Sequence, residues 1–347
     1  MGQITFMKQI IFDKKNILII GGAGFLGSHL CDELAQSAKV ICVDNFSSGE
    51  EKNIDNLLAN PNFRFIRHDM SEPIDLEKFG ELKEFKIEFQ GVQEIYNMAC
   101  PTSPIHFEKN RIANLLANSY AVKNALDLAV KYKAKFMHFS SSVVYGLRTS
   151  DNSFVKEDNV GVVDMLSDRC SYDEGKRFAE SMVKTYKDVY NLDAKIVRIF
   201  RVYGPRMPLD KGHMIPDFIS NALDNKDLVI YGDPNFSSSF CYVSDCLDAV
   251  LKMMQSDSFG PINIGSDRDV NVSELANKII QITGSKSKVV YADKMLFMTP
   301  LRLPDIALVR DLFGWMPLVS LEDGLAKTIR DLQANKGVKT IVTGYDF

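Results

Sequence analysis

Through the first 200 residues, short apolar runs alternate with stretches whose apolar positions recur every three to four residues. The runs at 16–20, 40–43, 63–66, 94–97, 135–139 and 194–200 predict strands. The segments at 24–35, 113–132 and 172–190 predict helices. The strand runs are apolar almost throughout, as strands covered on both faces are. Such alternation predicts the α/β class, with a doubly wound parallel sheet. After about residue 200, Gly, Pro, Asp and Asn become frequent and the elements shorten. There the pattern predicts helices at 215–224, 244–254, 272–282 and 321–332, and a strand at 228–231.

Composition narrows the picture. The chain has 347 residues, 41 Lys and Arg against 45 Asp and Glu, and a net charge of −4. With 46% hydrophobic and 25% charged residues it is an ordinary globular sequence, not a disordered, collagen-like or coiled-coil one. The mild acidity gives no electrostatic ground for binding nucleic acid or a membrane surface. No stretch approaches the ~18 apolar residues of a membrane span, and the opening MGQITFMK does not read as a signal peptide. A cytoplasmic location is expected. Cys31, Cys42, Cys100, Cys170, Cys241 and Cys246 are scattered, as are the five His, so free thiols and no metal site are expected.

The stretch NILIIGGAGFLGSHL places Gly21, Gly24 and Gly27 between the first strand and the first helix. Glycine suits that place because the backbone must turn tightly and approach a pyrophosphate with no Cβ between them. The helix N-terminus then offers free N–H groups and the positive end of its dipole. Asp44 ends the second strand, where a carboxylate accepts hydrogen bonds from a ribose diol and repels a 2′-phosphate. The pair points to NAD rather than NADP and to a Rossmann-type sheet. Phe25, Leu26, Asn45, Phe46, Asp69, Met70 and Ala99 are the further candidate cofactor contacts. The organisation expected is an NAD-binding unit over 15–200, with 239–262 threaded back into it. A smaller α/β substrate-binding region covers 201–238 and 263–333. Terminal extensions lie at 1–14 and 334–347, the latter a loosely held tail.

Tyr172 and Lys176 form Y-x-x-x-K within CSYDEGKRFAE. Residues four apart share a helix face. An ammonium there is expected to lower the phenol's pKa and fit it as a general base. Ser140, Ser141 and Ser142 end the fifth strand, at the edge where open α/β sheets place ligands. Ser141 is the candidate to hold the substrate oxygen beside Tyr172. Alone, Y-x-x-x-K is ordinarily a surface pair; the glycine turn upstream and the serine-ended strand give it a catalytic setting.

Together these residues resemble the extended short-chain dehydrogenase/reductase family, NAD-dependent enzymes that modify nucleotide sugars. The resemblance covers about residues 15–333 and is greatest to the UDP-glucuronate decarboxylase (UDP-xylose synthase) subgroup. It is carried by DNFSSG at 44–49, ACPTSP at 99–104, CSYDEGKRFAE at 170–180, YGPRM at 203–207, SFCYVSD at 239–245 and RLPDI at 302–306. It implies oxidation of the sugar at C4, loss of CO₂ from the resulting β-keto acid, and return of the hydride, with bound NAD recycled. Tyr172, Lys176 and Ser141 are then catalytic; Pro101, Ser142, Arg201, Tyr231 and Arg302 are substrate contacts, Arg302 facing the sugar acid. It also implies a UDP-sugar substrate and a homodimer packed through the helices at 113–132 and 172–190.

Three positions depart from the subgroup's pattern. Val143 stands where an acidic residue is usual, Arg201 where Asn is usual, and Ser238 where Arg is usual. Valine can neither move a proton nor accept a hydrogen bond through its side chain. A 4-epimerase tolerates an apolar residue there, so that activity stays open beside decarboxylation; Val143 argues against a standard 4,6-dehydratase, whose pattern has acidic residues there, and a dehydratase or C4 dehydrogenase on the same scaffold are the further alternatives. A non-catalytic NAD-binding protein would have no use for an activated phenol. Arg201 either takes over the diphosphate from the missing arginine or pairs with a nearby carboxylate.

Overall fold

In the computed structural model, residues 14–103, 108–148, 154–209, 211–293 and 300–342 are described. Pro104 of ACPTSP, residues 1–13 and residues 343–347 lie outside them.

The central sheet has seven strands: β1 (Asn16–Ile20), β2 (Lys39–Asp44), β3 (Phe63–Arg67), β4 (Glu94–Asn97), β5 (Lys135–Ser141), β6 (Ala194–Ile199) and β7 (Ile262–Ile264). Their order is β7-β6-β5-β4-β1-β2-β3 and every pairing is parallel. The pleat explains the continuous apolar runs. Ile17 and Ile19 face one hydrophobic layer, and Leu18 and Ile20 the other. Each is at most 2% exposed, and each such side chain contributes on the order of 2 kcal/mol by burial. Because β1 lies between β2 and β4, the order in which successive strands are laid down reverses there, opening a crevice at the strands' carboxyl ends.

The helices that bear on the site are α1 (Phe25–Leu34), α2 (Arg111–Asn118), α3 (Tyr120–Tyr132), α4 (Cys170–Tyr190) and α5 (Met214–Leu223). The single helix expected over 113–132 is in fact two. At Ser119 the backbone (φ −122°, ψ −82°) leaves the helical region. Ser119 Oγ donates to the Leu115 carbonyl at 2.6 Å, and Asn118 Nδ2 to the Asn114 carbonyl at 2.8 Å. Two short polar side chains turned back on the preceding turn compete with the helical ladder. The last helix, Leu321–Val342, runs past the expected stop at 332, so the segment read as a loose tail is helical to Val342. No proline interrupts it.

After β6 the chain leaves the sheet, and β7 returns to it beside β6. The intervening and following segments form short ladders: Leu228–Tyr231 with Val289–Ala292, Ser237–Ser238 with Val270–Asn271, and Leu303–Pro304 with Phe154–Val155.

Candidate active site

A cavity of about 690 Å³ opens at the carboxyl edge of the sheet. Its floor follows from the strand ends. β1 delivers Gly21, β2 Asp44, β4 Ala99 and Pro101, β5 Ser141 and Ser142, and β6 Arg201.

On one side lies the glycine turn. Gly21 sits at φ +80°, with its N–H on the Val43 carbonyl at 2.8 Å. A Cβ on Gly21 would stand 2.9 Å from the Ala99 nitrogen, and one on Gly27 would stand 2.2 Å from the Gly21 carbonyl oxygen. Gly24 is the N-cap of α1 and supplies no side-chain cap, so the first-turn N–H groups beside the cavity stay available. Asp44 Oδ2 accepts from the Ala23 N–H (3.0 Å) and Oδ1 from the Phe46 N–H (2.8 Å), which fixes the carboxylate in place. Burial raises its pKa, and the Phe46, Ala23 and Asn45 N–H groups pull it back. Asn45 Nδ2 reaches Asp69 Oδ2 at 2.9 Å. An uncapped helix start, a cradle that excludes Cβ atoms and a backbone-held carboxylate fit a dinucleotide.

On the other side lie the reacting groups. Tyr172 and Lys176 project from the start of α4 into the cavity. Ser141 hydrogen-bonds the Tyr172 phenol, and Ser141 Oγ also accepts from the Val143 N–H at 3.4 Å. The Lys176 ammonium lies 5.9 Å from the centre of the Tyr172 ring and donates to the Phe139 carbonyl at 2.8 Å. The expectation that Lys176 lowers the phenol's pKa is therefore corrected. Burial, then the neighbouring Cys100 thiol, pushes Tyr172 above its ordinary value; the Ser141 hydrogen bond and Arg169 offset part of this, and Asp173 adds to it. Burial also lowers the pKa of Lys176.

The serines divide the work. Ser140 Oγ donates to Glu180 Oε1 at 2.5 Å, and Glu180 is held by Arg198 through bonds of 2.9 and 2.7 Å. That network ties the end of β5 to α4 and β6. Val143 is buried and lines the cavity.

Gly21, Gly24, Phe25, Leu26, Gly27, Asp44, Asn45, Asp69, Met70, Ala99, Pro101, Ser141, Ser142, Tyr172, Lys176 and Arg201 all line this one cavity. Phe46, Tyr231 and Arg302 do not. Phe46 has φ +59° and lays its ring against Phe65 at 4.9 Å, under the Arg67 guanidinium. Tyr231 ends a strand paired with Ala292. Arg302 Nε is engaged by the Leu147 carbonyl at 3.1 Å, and its neighbour Leu301 reaches the cavity instead.

Sequence reasoning passed over Arg169, Cys100 and His213, which also line it. Arg169 grips Asp173 at 3.0 and 3.2 Å. Its i,i+4 spacing from that acid, just ahead of Tyr172, was the available signal. Nothing local marks His213.

The family model for the NAD dependent epimerase/dehydratase family matches residues 17–265. A UDP-glucuronic acid decarboxylase 4 of Arabidopsis thaliana is 36% identical over 318 residues, 91% of this chain and 68% of the relative. A UDP-glucuronic acid decarboxylase 1 of Xenopus tropicalis is 35% identical over 318 residues, 91% of this chain and 72% of the relative. Among solved structures, the epimerase Mth375 of Methanothermobacter thermautotrophicus superposes with a TM-score of 0.81 at 27% identity, over 94% of each chain. A UDP-glucuronic acid 4-epimerase of Bacillus cereus, in complex with UDP-glucuronic acid and NAD, has a TM-score of 0.79 at 27% identity, over 92% of this chain and 99% of its own.

Proposed function

This chain belongs to the NAD-dependent epimerase/dehydratase family, and from that premise we propose that it is an NAD-using decarboxylase of UDP-glucuronate. One observation carries the chemistry: Tyr172, hydrogen-bonded to Ser141 and one helical turn from Lys176, faces the same cavity as the glycine turn and Asp44. Gly21, Gly24, Gly27 and the start of α1 would hold the pyrophosphate, and Asp44 the adenosine ribose. Bound there, NAD would supply the acceptor, and in its reduced form the donor, of the C4 hydride. Tyr172, once ionised, takes the proton of the C4 hydroxyl, and Ser141 orients that oxygen. Lys176, anchored on the Phe139 carbonyl, places a positive charge behind the phenol. The C4 ketone makes the C5 carboxylate a β-keto acid, so the C5–carboxyl bond breaks with its electron pair entering an enolate. A proton from solvent then takes the place of the lost carboxyl group at C5, and Tyr172 gives its proton back to the C4 oxygen as C4 is reduced.

A second reading has its own observation. Val143, buried in the cavity wall, offers no proton, which favours a 4-epimerase. Incubation with UDP-glucuronate decides between them. Release of CO₂ with a UDP-pentose supports decarboxylation, a C4 epimer supports the second reading, and neither product nor reduced cofactor overturns both.

The same reading includes a homodimer in a reducing, cytoplasmic setting, built from a dinucleotide-binding unit (15–200 with 239–262) and a substrate region (201–238, 263–333). Ile112, Leu115 and Tyr120 on α2 and α3, and Phe178, Val189 and Tyr190 on α4, are exposed large apolar side chains on packed helices, which supports a subunit contact there. The six free cysteines support the reducing setting.

A further inference from the structure

The turn YGPRM at 203–207 has no part in the chemistry above, yet it lies between the two sides of the cavity. Met207 and the following Pro208 line the cavity, as do Phe25 and Leu26 at the start of α1. Arg206 does not line it, and neither do His29 and Asp32, the residues of α1 that meet the turn. His29 Nε2 lies 3.0 Å from the Pro205 carbonyl oxygen. A carbonyl only accepts, so that nitrogen carries the proton and donates it. Arg206 Nη2 pairs with Asp32 Oδ2 at 2.6 Å, while Asp32 Oδ1 accepts from Asn56 Nδ2 at 3.0 Å. One helical turn back, the Phe25 ring meets His29 edge-on with centroids 5.8 Å apart. An unbroken chain of contacts thus runs from the cofactor side of the cavity to the residue before Met207.

The backbone of the turn is held against its preference. Arg206 sits at φ +64°, in the left-handed region that residues with a Cβ rarely adopt. Its N–H donates to Asp331 Oδ2 of the last helix at 3.1 Å, and its guanidinium is held by Asp32 of α1. The residue before it is held by His29. Such a conformation persists only where the surroundings over-determine it, and residues of this kind gather at functional sites. The side-chain and main-chain bonds of Arg206 run to two different helices, so the turn is referenced to both.

We propose that Arg206 is a positioning residue that links the seating of the dinucleotide on α1 to the shape of the substrate wall at Met207 and Pro208. This rests on the reading above that NAD occupies the glycine turn and a nucleotide sugar the space beside it. The dinucleotide loads the N-terminus of α1 and holds that helix still. His29 and Asp32 carry the restraint to Pro205 and Arg206, and the wall is preorganised for the second ligand. By linkage, the second ligand holds the dinucleotide more tightly by the same factor.

The test is release of labelled NAD from the loaded protein into excess unlabelled NAD, with and without saturating UDP. Saturation is set beforehand by titration calorimetry. UDP should slow release from the wild type about tenfold, within the usual range of coupling between two sites. In Arg206→Gly, which suits φ +64° and discards the guanidinium, the slowing should fall below about twofold while the melting temperature changes little. Asp32→Ala cuts the pair from the helix side at no cost in helix propensity; it should lose the slowing equally, and it serves if the glycine variant fails to fold. Arg206→Lys, which returns a cation to Asp32, should restore most of the slowing. A merely structural arginine would lower the melting temperature and leave the ratio of the two release rates alone. Slowing that survives in Arg206→Gly or Asp32→Ala overturns the proposal, because UDP would then only block the exit. So does a loss that tracks the melting temperature across the three variants, and so does a loaded wild type that binds UDP yet releases NAD at an unchanged rate. If the loaded wild type does not bind UDP at all, it is the nucleotide-sugar reading that falls, and this proposal with it.

Discussion

On the dinucleotide side of the cavity, main-chain geometry sets the shape: Gly21 and Gly27 approach their neighbours so closely that a Cβ would meet backbone, and Asp44 is clamped by two N–H groups. On the substrate side, side chains set it: Tyr172 bonded to Ser141, Lys176 reaching a strand carbonyl, and Arg201, whose buried Nε has no hydrogen-bond partner among the described residues. A backbone-built wall tolerates few residue types but can serve many reactions. A side-chain-built wall can be rewritten one residue at a time. The same scaffold can therefore keep its cofactor half while Val143 and Arg201 alter what the other half accepts.

The contrast can be broken by striking one side and reading the other. Tyr172→Phe should lower kcat about a thousandfold, the range of a lost general base, and leave NAD affinity unchanged by titration calorimetry. Residual turnover near the wild-type rate would show that another group takes the proton. Gly27→Ala should do the reverse. A Cβ placed 2.2 Å from the Gly21 carbonyl oxygen forces the turn apart. A stability loss of about 3 kcal/mol or more and weakened NAD binding are expected, measured by denaturant melts and titration.

The substrate side should also respond to acid. The pKa of His213 is about 4 in the folded protein, below the ordinary 6.5. Between those values the unfolded chain binds the proton and the folded one does not, so stability falls as pH drops from 6.5 towards 4. His213→Asn should remove roughly 2 to 3 kcal/mol of that slope in melts taken across the window. The smallest effect concerns the joint beneath both sides. A Cβ on Gly175 would stand 3.1 Å from Asn118 Nδ2, and Asn118 is itself bonded to Asn114 and Cys100. Gly175→Ala gains helix propensity but crowds that amide, and a net loss below about 1 kcal/mol is expected in the same melts.

Six strands of the central sheet, the glycine turn, Asp44 and the Tyr172–Lys176 pair were legible because each is written locally, as a run, a spacing or a helical repeat; the seventh, β7, is only three residues long and left no such run. The break at Ser119 was not, since an apolar period continues through it while two side-chain hydrogen bonds undo the ladder. The direction of the Tyr172 shift was missed because burial, a property of the assembled fold, outweighs the neighbour four residues along. Tyr231 and Arg302 lie outside the cavity for a related reason: contacts with Ala292 and Leu147, distant in sequence, decide where they point. His213 is placed by the turn that launches α5 and carries no spacing signal at all.

Three serines in a row look interchangeable, yet Ser140 is committed to Glu180 while Ser141 serves the phenol. Sliding β5 by a single position would send the hydroxyl meant for chemistry into the scaffold's partly buried arginine–glutamate knot and leave the phenol facing the wrong neighbour. The knot thus acts as a registration pin for the strand. A lost Ser141 hydroxyl cannot be borrowed from next door, however similar the letters on either side.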